Sequence, residues 1–305
     1  MTAFILARLI RAIAVLIFTV TLVFIVLRLS GDPAQQMLGD DVGPAAVAAF
    51  NAKWGLDRSL PEQYAYYVAN AARGDFGISF GDGRQVFDIV AERIPKTLML
   101  TVPALLLSML IGIPAGILAA IRRESALDKG VMAGAVLGYS VPNFLLGLVF
   151  IFVFAVWLRV LPSSGSSTLN HAILPIATFA LFNAAAVARF MRSTLLDVLG
   201  QPYIAAARAD GAPDWEIILR HALPNAAIPM VTTLGFIAGG MMGGAALIEP
   251  VFAWPGLGIG FVRATATGDL PVVQAMIILF TVFMVSINLT VDILYGLLNP
   301  KIRKP

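Results

Sequence analysis

The sequence lacks cysteine altogether and contains only two histidines among its 305 residues. Without cysteine, disulfides, zinc–thiolate sites and cysteine nucleophiles are excluded. Two histidines, His171 and His221, leave little from which to build a metal centre. None of the five lysines follows a glycine, so the chain has no P-loop, which ends in Gly-Lys-Ser/Thr. We therefore expect no metal site, no cofactor and no ATP hydrolysis in this chain.

Charged residues are also scarce, at 13% of the sequence against about 25% in an average soluble domain. Hydrophobic residues make up 59%, and the mean hydropathy is +0.86. A soluble fold cannot hide that much apolar surface, because burial is limited by the ratio of surface to volume. The net charge of +3 is too small to indicate a nucleic-acid partner. The composition predicts a membrane protein.

The hydrophobic residues fall into six long runs. An α-helix needs about 20 mostly apolar residues to cross the hydrocarbon core of a bilayer. The first run is longer than the ~7–15-residue apolar region of a signal peptide, and no clear small-x-small cleavage site follows it. We therefore predict an all-α membrane protein with six transmembrane helices, at 9–28, 98–120, 131–158, 172–190, 227–248 and 273–296.

The distribution of basic residues predicts the orientation. Six spans place both termini on one side, and the segments on that side carry 12 of the 21 basic residues against six acidic ones. The two short loops on the other side carry one basic residue each, Arg159 and Arg263. Because short cytoplasmic loops are enriched in Lys and Arg, we expect both termini to be cytoplasmic.

The long segment 29–96 has the composition of a small folded insert on the outer side. Pro61 and Gly74 bound a predicted helix, with proline in its first turn and glycine at its end. Aromatic residues are favoured at protein interfaces. We expect half of the insert's aromatic residues to form its own core and the others to contact a partner or the substrate: Trp54, Tyr64, Tyr66, Tyr67, Phe76 and Phe80.

The segment from Tyr203 to Pro229 is the most informative stretch between predicted spans. Gly211 follows a run of good helix formers, where a helix end favours a residue with positive φ. Pro213 and the acidic residues after it suit the first turn of a second helix. Trp215 and Leu219 give that helix apolar surface. The pattern predicts two short helices joined by a tight turn.

This segment resembles the EAA motif, E-A-A-x3-G-x9-I-x-L-P, of the integral-membrane permease subunits of type I ABC importers. Ala205 stands at the glutamate position and His221 at the isoleucine position, so two positions depart from the pattern. An ordinary helix–turn–helix loop is the alternative when the spacing is considered alone. Five residues match the motif at the right spacing: Ala206, Ala207, Gly211, Leu223 and Pro224.

Other segments extend the resemblance over essentially the whole chain. In their order they resemble the dipeptide/oligopeptide/nickel permease branch, and within it the first of two permeases, which carries the long external insert. The segments are Gly31-Asp32-Pro33, Gly55-Leu56-Asp57, Gln63-Tyr64, Gly74 to Ser79, Ser140-Val141-Pro142, Pro255-Gly256-Leu257-Gly258 with Glu249 and Phe252 before them, Asp269-Leu270-Pro271 with Gln274, Asp292 to Tyr295, and Asn299-Pro300-Lys301.

The resemblance implies the MetI-like ABC permease fold with four parts. These are an N-terminal transmembrane helix (1–28), an extracytoplasmic insert (29–96), a type-1 transmembrane domain (97–298) and a cytoplasmic tail (299–305). It also implies a transport subunit rather than an enzyme, with ATP hydrolysed by separate chains. In the family the cytoplasmic loop, 191–226 here, forms coupling helices that dock into a groove of the ATPase subunit.

The implied partners are a second homologous permease, two ABC ATPase subunits, a periplasmic solute-binding protein and the lipid bilayer of the cell inner membrane. The branch handles dipeptides, oligopeptides, glutathione, nickel chelates and some oligosaccharides. We expect di- or oligopeptides or related small solutes, and the choice among these classes stays open.

Small and polar residues within the predicted spans have two interpretations each. Gly235, Gly239 and Gly243 recur every four residues, a spacing that lets helices approach closely in lipid. They pack helices within this subunit or form the interface with the second permease. Asn143 and Asn288 are candidates for lining the pathway, since polar groups within a membrane usually face a cavity or a partner.

Two functions from other classes compete with transport. An intramembrane protease would use Ser164 or Ser166 with His171, but these residues fall in a short polar loop, where a plain loop is the stronger interpretation. A receptor or channel subunit is the third hypothesis, and it would not need the spacing from Gly211 to Pro224.

Overall fold

The computed structural model describes residues 2–29, 34 and 43–298. Regular structure in these residues is helical, apart from one isolated antiparallel bridge between Ile78 and Gln85. Two π-helical segments occur in them, Ile151–Trp157 and Ile217–Ala222. Helices α1 to α12 are, in chain order, Thr2–Leu29, Pro44–Trp54, Leu60–Ala72, Val86–Ile121, Ala126–Ser140, Asn143–Phe150, Asn170–Leu199, Pro202–Ala209, Asp214–Glu216, Leu223–Val251, Leu257–Ala266 and Leu270–Leu298.

Parts of the sequence interpretation lie outside the described residues. These are the segment Gly31-Asp32-Pro33, the segment Asn299-Pro300-Lys301 and the tail 299–305. The two ends of the helical bundle are named here by what they carry. The insert end carries α2, α3 and residues 73–85, and the loop end carries residues 200–222.

Within the described residues, five helices are long and apolar enough to cross a membrane, and a bent pair makes a sixth. The five are Leu6–Val26, Val86–Ile121, Asn170–Leu199, Asp214–Val251 and Leu270–Gly296. This agrees with the predicted fold class of six transmembrane helices if the bent pair counts as one span.

The third predicted span, 131–158, is not one straight helix. It consists of α5 and α6, which meet at an angle of 99°. Val141 is extended at the break, with φ −88° and ψ +124°, and Pro142 precedes α6. A proline disfavours helical geometry in the residue before it, so Val141-Pro142 ends one helix and lets the chain turn before the next.

Several spans extend beyond the predicted runs, because helices continue past the apolar part of the sequence. Helix α4 begins at Val86, so residues 86–96, predicted as part of the insert, are the first turns of a membrane helix. Helix α7 continues to Leu199. Helix α11, at the insert end, has no counterpart in the prediction. Its ten residues are too few to form a span, which is why the search for long apolar runs missed it.

Helices α4 and α7 pack against each other along most of their length. Gly112 and Gly116 of α4 lie against α7 so closely that a Cβ at Gly116 would be 2.5 Å from the carbonyl oxygen of Ala188. At Gly112 it would be 2.7 Å from the carbonyl oxygen of Ala184. Small residues four apart allow this approach. The α4–α7 pair is therefore the rigid centre of the bundle.

An ion pair joins the same helices to α5 at the loop end. The Arg192 guanidinium donates to both carboxylate oxygens of Asp128, at 2.5 and 2.7 Å. Asp128 is buried and also accepts the backbone N–H of Glu124 at 2.9 Å. The pair fixes the short turn between α4 and α5 against α7.

Helix α1 packs on α12, and the insert packs on α1. Arg8 and Asp292 form an ion pair at 2.9 Å between α1 and α12. This gives Asp292, which the sequence placed within a span, a partner on a neighbouring helix. The hydroxyls of Thr21 and Tyr64 are 2.7 Å apart, and the ring of Phe24 stacks on that of Tyr67.

Most of the insert's aromatic residues are packed, contrary to the expectation that half would be free. Trp54, Phe80 and Phe50 form one cluster, with Trp54 and Phe80 ring centroids 4.7 Å apart. Neither α2 nor α3 contains a buried residue. That cluster is internal to the insert, whereas Tyr64, Tyr67 and Phe76 pack on the bundle. Only Tyr66, 57% exposed beside Arg58, is an exposed aromatic among the six that the sequence singled out.

Tyr67 lies at the junction of the insert with α1. Its hydroxyl is buried and has no hydrogen-bond partner in the part of the chain that the structure describes. Burial raises the pKa of Tyr67 above its usual value, with the neighbouring Tyr64 adding to the effect. The ring therefore acts as an apolar contact at this junction.

Candidate functional site

Gly211 ends α8 in a Schellman motif. Its φ is +87°, in the left-handed region that favours glycine. Its N–H donates to the carbonyl of Arg208 at 3.0 Å, and the N–H of Ala212 donates to the carbonyl of Ala207 at 3.1 Å. A Cβ at Gly211 would meet nothing within 4 Å, so the backbone conformation alone demands glycine here. The predicted positive φ and tight turn are confirmed.

The second loop helix is not separate from the next span. Helix α9 begins after Pro213, as predicted, but it continues through the π-helical segment into α10. Asp214 to Val251 therefore form one continuous 38-residue helix. Leu223 and Pro224 begin α10, and Pro224, inside the continuous helix, has no N–H to donate to the preceding π-helical turn.

The loop is anchored through three buried side chains. Ile204 of α8 and Ile217 of the π-helical segment are almost fully buried, and Ala222 is fully buried. They form one apolar cluster with Met191 and Leu195 of α7. The loop is therefore attached to the α4–α7 centre by apolar packing rather than by polar contacts.

The outer face of the same loop exposes large apolar side chains. Trp215 is 58% exposed, Leu219 56% and Tyr203 42%. Charged residues surround them, and Arg220 donates to Glu216 at 2.7 Å. At the first three motif positions, the departing Ala205 and the matching Ala206 are exposed, and the matching Ala207 is half-buried. An exposed apolar patch rimmed by charges is typical of a protein–protein contact.

The predicted glycine stripe of α10 divides between two environments. A Cβ at Gly235 would collide with the side chain of Val291 of α12, and at Gly239 it would lie 3.3 Å from Met284 Cγ. These two glycines allow α10 and α12 to pack within the subunit. At Gly243 a Cβ would meet nothing within 4 Å. Gly243 faces an open groove instead.

That groove, called here the glycine groove, lies between α1, α10 and α12 and has a volume of about 630 Å³. Gly239, Gly240 and Gly243 line it on one side, and Asn288 lines it on the other. The other predicted pathway residue, Asn143, lies at the start of α6 beside the bend. The structure does not bring Asn143 and Asn288 together.

A second groove lies between α5, α7 and α10, with a volume of about 560 Å³. The sequence interpretation did not single out this groove as a site. Three of its polar residues, Asn183, Arg189 and Ser193, lie on α7. We call it the polar groove after its polar members, although apolar side chains make up much of its lining: Tyr139, Phe182, Asn183, Ala186, Arg189, Phe190, Ser193, Thr233, Phe236 and Ile237.

At the insert end, a buried carboxylate holds the start of α11. Glu249 is fully buried and accepts the Thr97 hydroxyl at 2.6 Å and the backbone N–H of Ile259 at 3.0 Å. The backbone N–H of Leu257 donates in turn to the Thr97 oxygen at 2.8 Å. A Cβ on Gly256 would collide with the Glu249 carboxylate. This contact explains why glycine follows Pro255.

A second buried carboxylate holds the insert against the bundle. Asp269, just before α12, accepts the Ser79 hydroxyl at 2.5 Å. It also accepts the backbone N–H groups of Phe80 at 3.1 Å and Gly81 at 3.3 Å. Ser79 and Asp269 are both buried. The contact joins the turn at residues 79–83 to the start of α12, the sixth span.

The geometry around His171 does not favour the protease hypothesis. Its ring nitrogens lie 2.9 Å from the Thr168 hydroxyl and 3.4 Å from the Ser167 hydroxyl. The N–H of Gly165 donates to the carbonyl of Phe252 at 2.9 Å. These contacts organise the start of α7, whereas a nucleophile such as Ser164 or Ser166 needs the base within hydrogen-bond reach.

Residues 112–304 match the family described as binding-protein-dependent transport system inner membrane component. Residues 1–101 match the family of the N-terminal part of such membrane components. The chain belongs to this family of transport permeases. It is a membrane-spanning permease subunit of an ABC importer, as its sequence resemblance implied, and its role is transport.

Relatives and solved structures agree with this assignment. The glutathione transport system permease protein GsiC of Escherichia coli (strain K12) is 40% identical over 304 residues, which cover 99% of each chain. GsiC of Shigella dysenteriae serotype 1 (strain Sd197) is equally similar. An inward-facing structure of the MetNI methionine ABC transporter matches with a TM-score of 0.60 at 22% identity, covering 69% of this chain and 96% of that one. This last likeness supports the fold.

Proposed function

We propose that this permease is half of the translocation pathway of an ATP-driven importer for di- or oligopeptides or related small solutes. A second homologous permease forms the other half, and two ABC ATPase subunits hydrolyse ATP. A periplasmic binding protein delivers the solute. This chain needs no cofactor of its own in that scheme.

The exposed apolar patch at residues 203–219 carries the proposal. Trp215 and Leu219 lie at the loop end, on a segment held stiffly by the Gly211 turn and by buried Ile204 and Ile217. A surface that transmits force must be both exposed to its partner and fixed to its own subunit. Residues 202–222 meet both requirements, so we assign them to ATPase docking and call them the docking loop.

The continuous helix 214–251 gives this docking surface a direct mechanical connection. At about 1.5 Å per residue, 38 residues extend about 57 Å, longer than the hydrocarbon core. Its first residues belong to the docking loop, and Glu249 near its other end holds α11. Movement of an ATPase subunit would therefore shift the loop and the insert end together.

The proposed orientation follows from the same scheme. ATP is cytoplasmic, so the loop end faces the cytoplasm and the insert end faces the binding protein, with both termini cytoplasmic. Inner-membrane localisation follows from the multi-pass family assignment. We keep the four parts proposed from the sequence, with 97–298 as the transmembrane domain and 29–96 as the external part, in which residues 86–96 are the outer end of α4.

The proposal of a peptide-like substrate is based on the relatives of this chain. Glutathione, which the name of GsiC gives as its solute, is a tripeptide, and the match extends over 99% of both chains. Dipeptides, longer peptides, nickel chelates and oligosaccharides remain the alternatives within the branch.

Co-purification of the chain with its ATPase subunits tests the docking assignment. Trp215→Ser should remove most ATPase recovery, because an exposed tryptophan at the centre of an interface contributes a large share of binding. Trp157→Ser is the matched control, since Trp157 is 73% exposed but lies at the other end of the bundle. Equal ATPase recovery with both variants would contradict the assignment of residues 202–222.

A further inference from the structure

The polar groove contains an arginine whose surroundings are unusual for a membrane helix. Arg189 lies in α7, within the apolar run predicted at 172–190, and its side chain is exposed to the groove. Arginine remains protonated in proteins, so its charge cannot be removed by a shift in pKa. Charged groups within membrane helices generally face a cavity and pair with another group.

Arg189 has an aromatic platform but no acidic partner in the described residues. Its guanidinium lies 5.1 Å from the ring centroid of Tyr139, whose ring stacks on that of Phe182 at 5.7 Å. None of the ion pairs formed within 2–29, 34 and 43–298 involves Arg189. By contrast Arg192, one turn further, donates to Asp128. The stack holds the guanidinium in place and leaves its N–H groups to the groove.

Three further polar side chains stand among the apolar ones that line the groove. Asn183 donates to the carbonyl of Phe179 at 2.8 Å, and this bond leaves its amide oxygen as an acceptor. Ser193 and Thr233 add hydroxyls on the same surface. The opposite face of α7 is buried against α4, so the polar face is the one that the bundle leaves open. Lipid chains alone would offer these groups no hydrogen bonds.

We propose that Arg189 binds a carboxylate of the transported solute as it passes through the polar groove. The inference rests on the proposed function, in which solutes are peptide-like, and it adds that this groove faces the pathway. A peptide carries a terminal carboxylate, which matches the planar guanidinium, and amide groups, which match Asn183 and the hydroxyls. The permease would thus add its own selection to that of the binding protein.

Uptake by the whole reconstituted transporter tests the proposal. The probes are tripeptides with a free carboxyl end and the same tripeptides with an amidated end, supplied with the binding protein and ATP. Arg189→Gln should slow uptake of the free-carboxyl peptide about tenfold, the effect expected for one charge-assisted hydrogen bond, and should leave the amidated peptide unchanged. Arg189→Lys should retain most of the rate. Arg122→Gln is the matched control, because Arg122 is exposed at the loop end outside both grooves.

The outcomes separate this inference from the proposed function. Equal uptake of the free-carboxyl peptide by wild type and Arg189→Gln would overturn the inference and leave the importer assignment intact. An equal loss for both peptides would show a structural role and overturn it as well. No uptake of either peptide by wild type would overturn the peptide-importer proposal and the inference with it.

Lipid phosphates are the other source of an anion for Arg189. Vesicles of phosphatidylcholine alone are compared with vesicles that also contain phosphatidylglycerol. The proposal predicts the same selective loss in both. A loss that appears only with phosphatidylglycerol would assign Arg189 to lipid and overturn the proposal.

Discussion

The insert end holds its short segments with buried carboxylates, whereas the docking loop at the other end is held by apolar packing and one glycine turn. Glu249 and Asp269 accept backbone N–H and hydroxyl groups in buried surroundings. Ile204 and Ile217 attach the docking loop, and Gly211 sets its turn. One region buries polar groups, while the other exposes apolar ones.

This difference reflects the length and the task of the segments. Helix α11 and the turn at 79–83 are too short to be stabilised by their own packing, so each depends on a carboxylate that satisfies several N–H groups. The docking loop must keep an apolar surface free for a partner. We therefore expect changes at the insert end to reduce stability and changes at the docking loop to reduce coupling.

The largest expected effect is that of Glu249→Ala on stability. The substitution leaves the N–H of Ile259 and the hydroxyl of Thr97 without their buried acceptor, which should cost about 3 kcal/mol of unfolding free energy. Glu249→Gln keeps one acceptor oxygen and should lose about half as much. Thermal unfolding of the purified chain in detergent measures both. A wild-type melting temperature for Glu249→Ala would show that the carboxylate does not hold α11.

Asp269→Ala should loosen the insert without unfolding the bundle. We expect about 2 kcal/mol of lost local stability, or roughly 30-fold faster amide hydrogen exchange at residues 79–85. Ser79→Ala removes only one of the hydrogen bonds and should have a smaller effect of about 1 kcal/mol. Exchange unchanged by Asp269→Ala would mean that the turn is held by other contacts.

Gly211→Val should impair coupling while membrane insertion survives. A β-branched residue at φ +87° introduces about 1–3 kcal/mol of backbone strain, enough to displace α9 from its docking position. Substrate-stimulated ATPase activity of the assembled transporter should fall. Gly211→Asn is the matched control, because asparagine tolerates this conformation and no steric obstacle exists at the site. If the valine variant couples normally, the turn is not needed for docking.

Tyr66→Ala should have the smallest effect. In the described residues, its exposed ring makes one cation–π contact, with Arg58. The free energy of unfolding should therefore change by less than about 1 kcal/mol. If the insert receives the binding protein, the variant should need more of that protein to stimulate ATPase activity. The expected loss in apparent affinity for the binding protein is about 1 kcal/mol. Basal ATPase activity should not change. Unaltered stimulation would leave the insert as a structural part.

The docking loop could be predicted from the sequence because its signals are local. A glycine after a run of helix formers, followed by proline and acidic residues, specifies a turn whatever surrounds it. The spans could be predicted in number because apolar length is also a local property. Gly211 and the helix beginning after Pro213 lie where the pattern placed them.

Helix α3 lies where Pro61 and Gly74 placed it, but the contacts that hold the insert end could not be predicted, because they join residues far apart in the sequence. Glu249 meets Thr97 and Asp269 meets Ser79, more than 150 residues away in each pair. A kink at Pro142 follows from a proline inside an apolar run. That the kink is a 99° break between two helices could not be predicted, because the apolar run on both sides looked like one span. Arg189 was counted for orientation, and its position in a groove emerged only when α5, α7 and α10 were placed together.

The central claim is that residues 202–222 dock a cytoplasmic ATPase. Measuring on which side of the membrane each end of the bundle lies tests this claim most directly. Single cysteines at Ala65 of α3 and Ala209 of α8 suit this measurement, because both positions are exposed and the native chain has no thiol. Ser79 does not suit it, since it is buried against Asp269. With a membrane-impermeant thiol reagent on cells whose inner membrane is intact and accessible, the account predicts labelling at Ala65→Cys and none at Ala209→Cys until the membrane is opened. Labelling at Ala209→Cys alone would put the docking loop on the side without ATP and contradict the account.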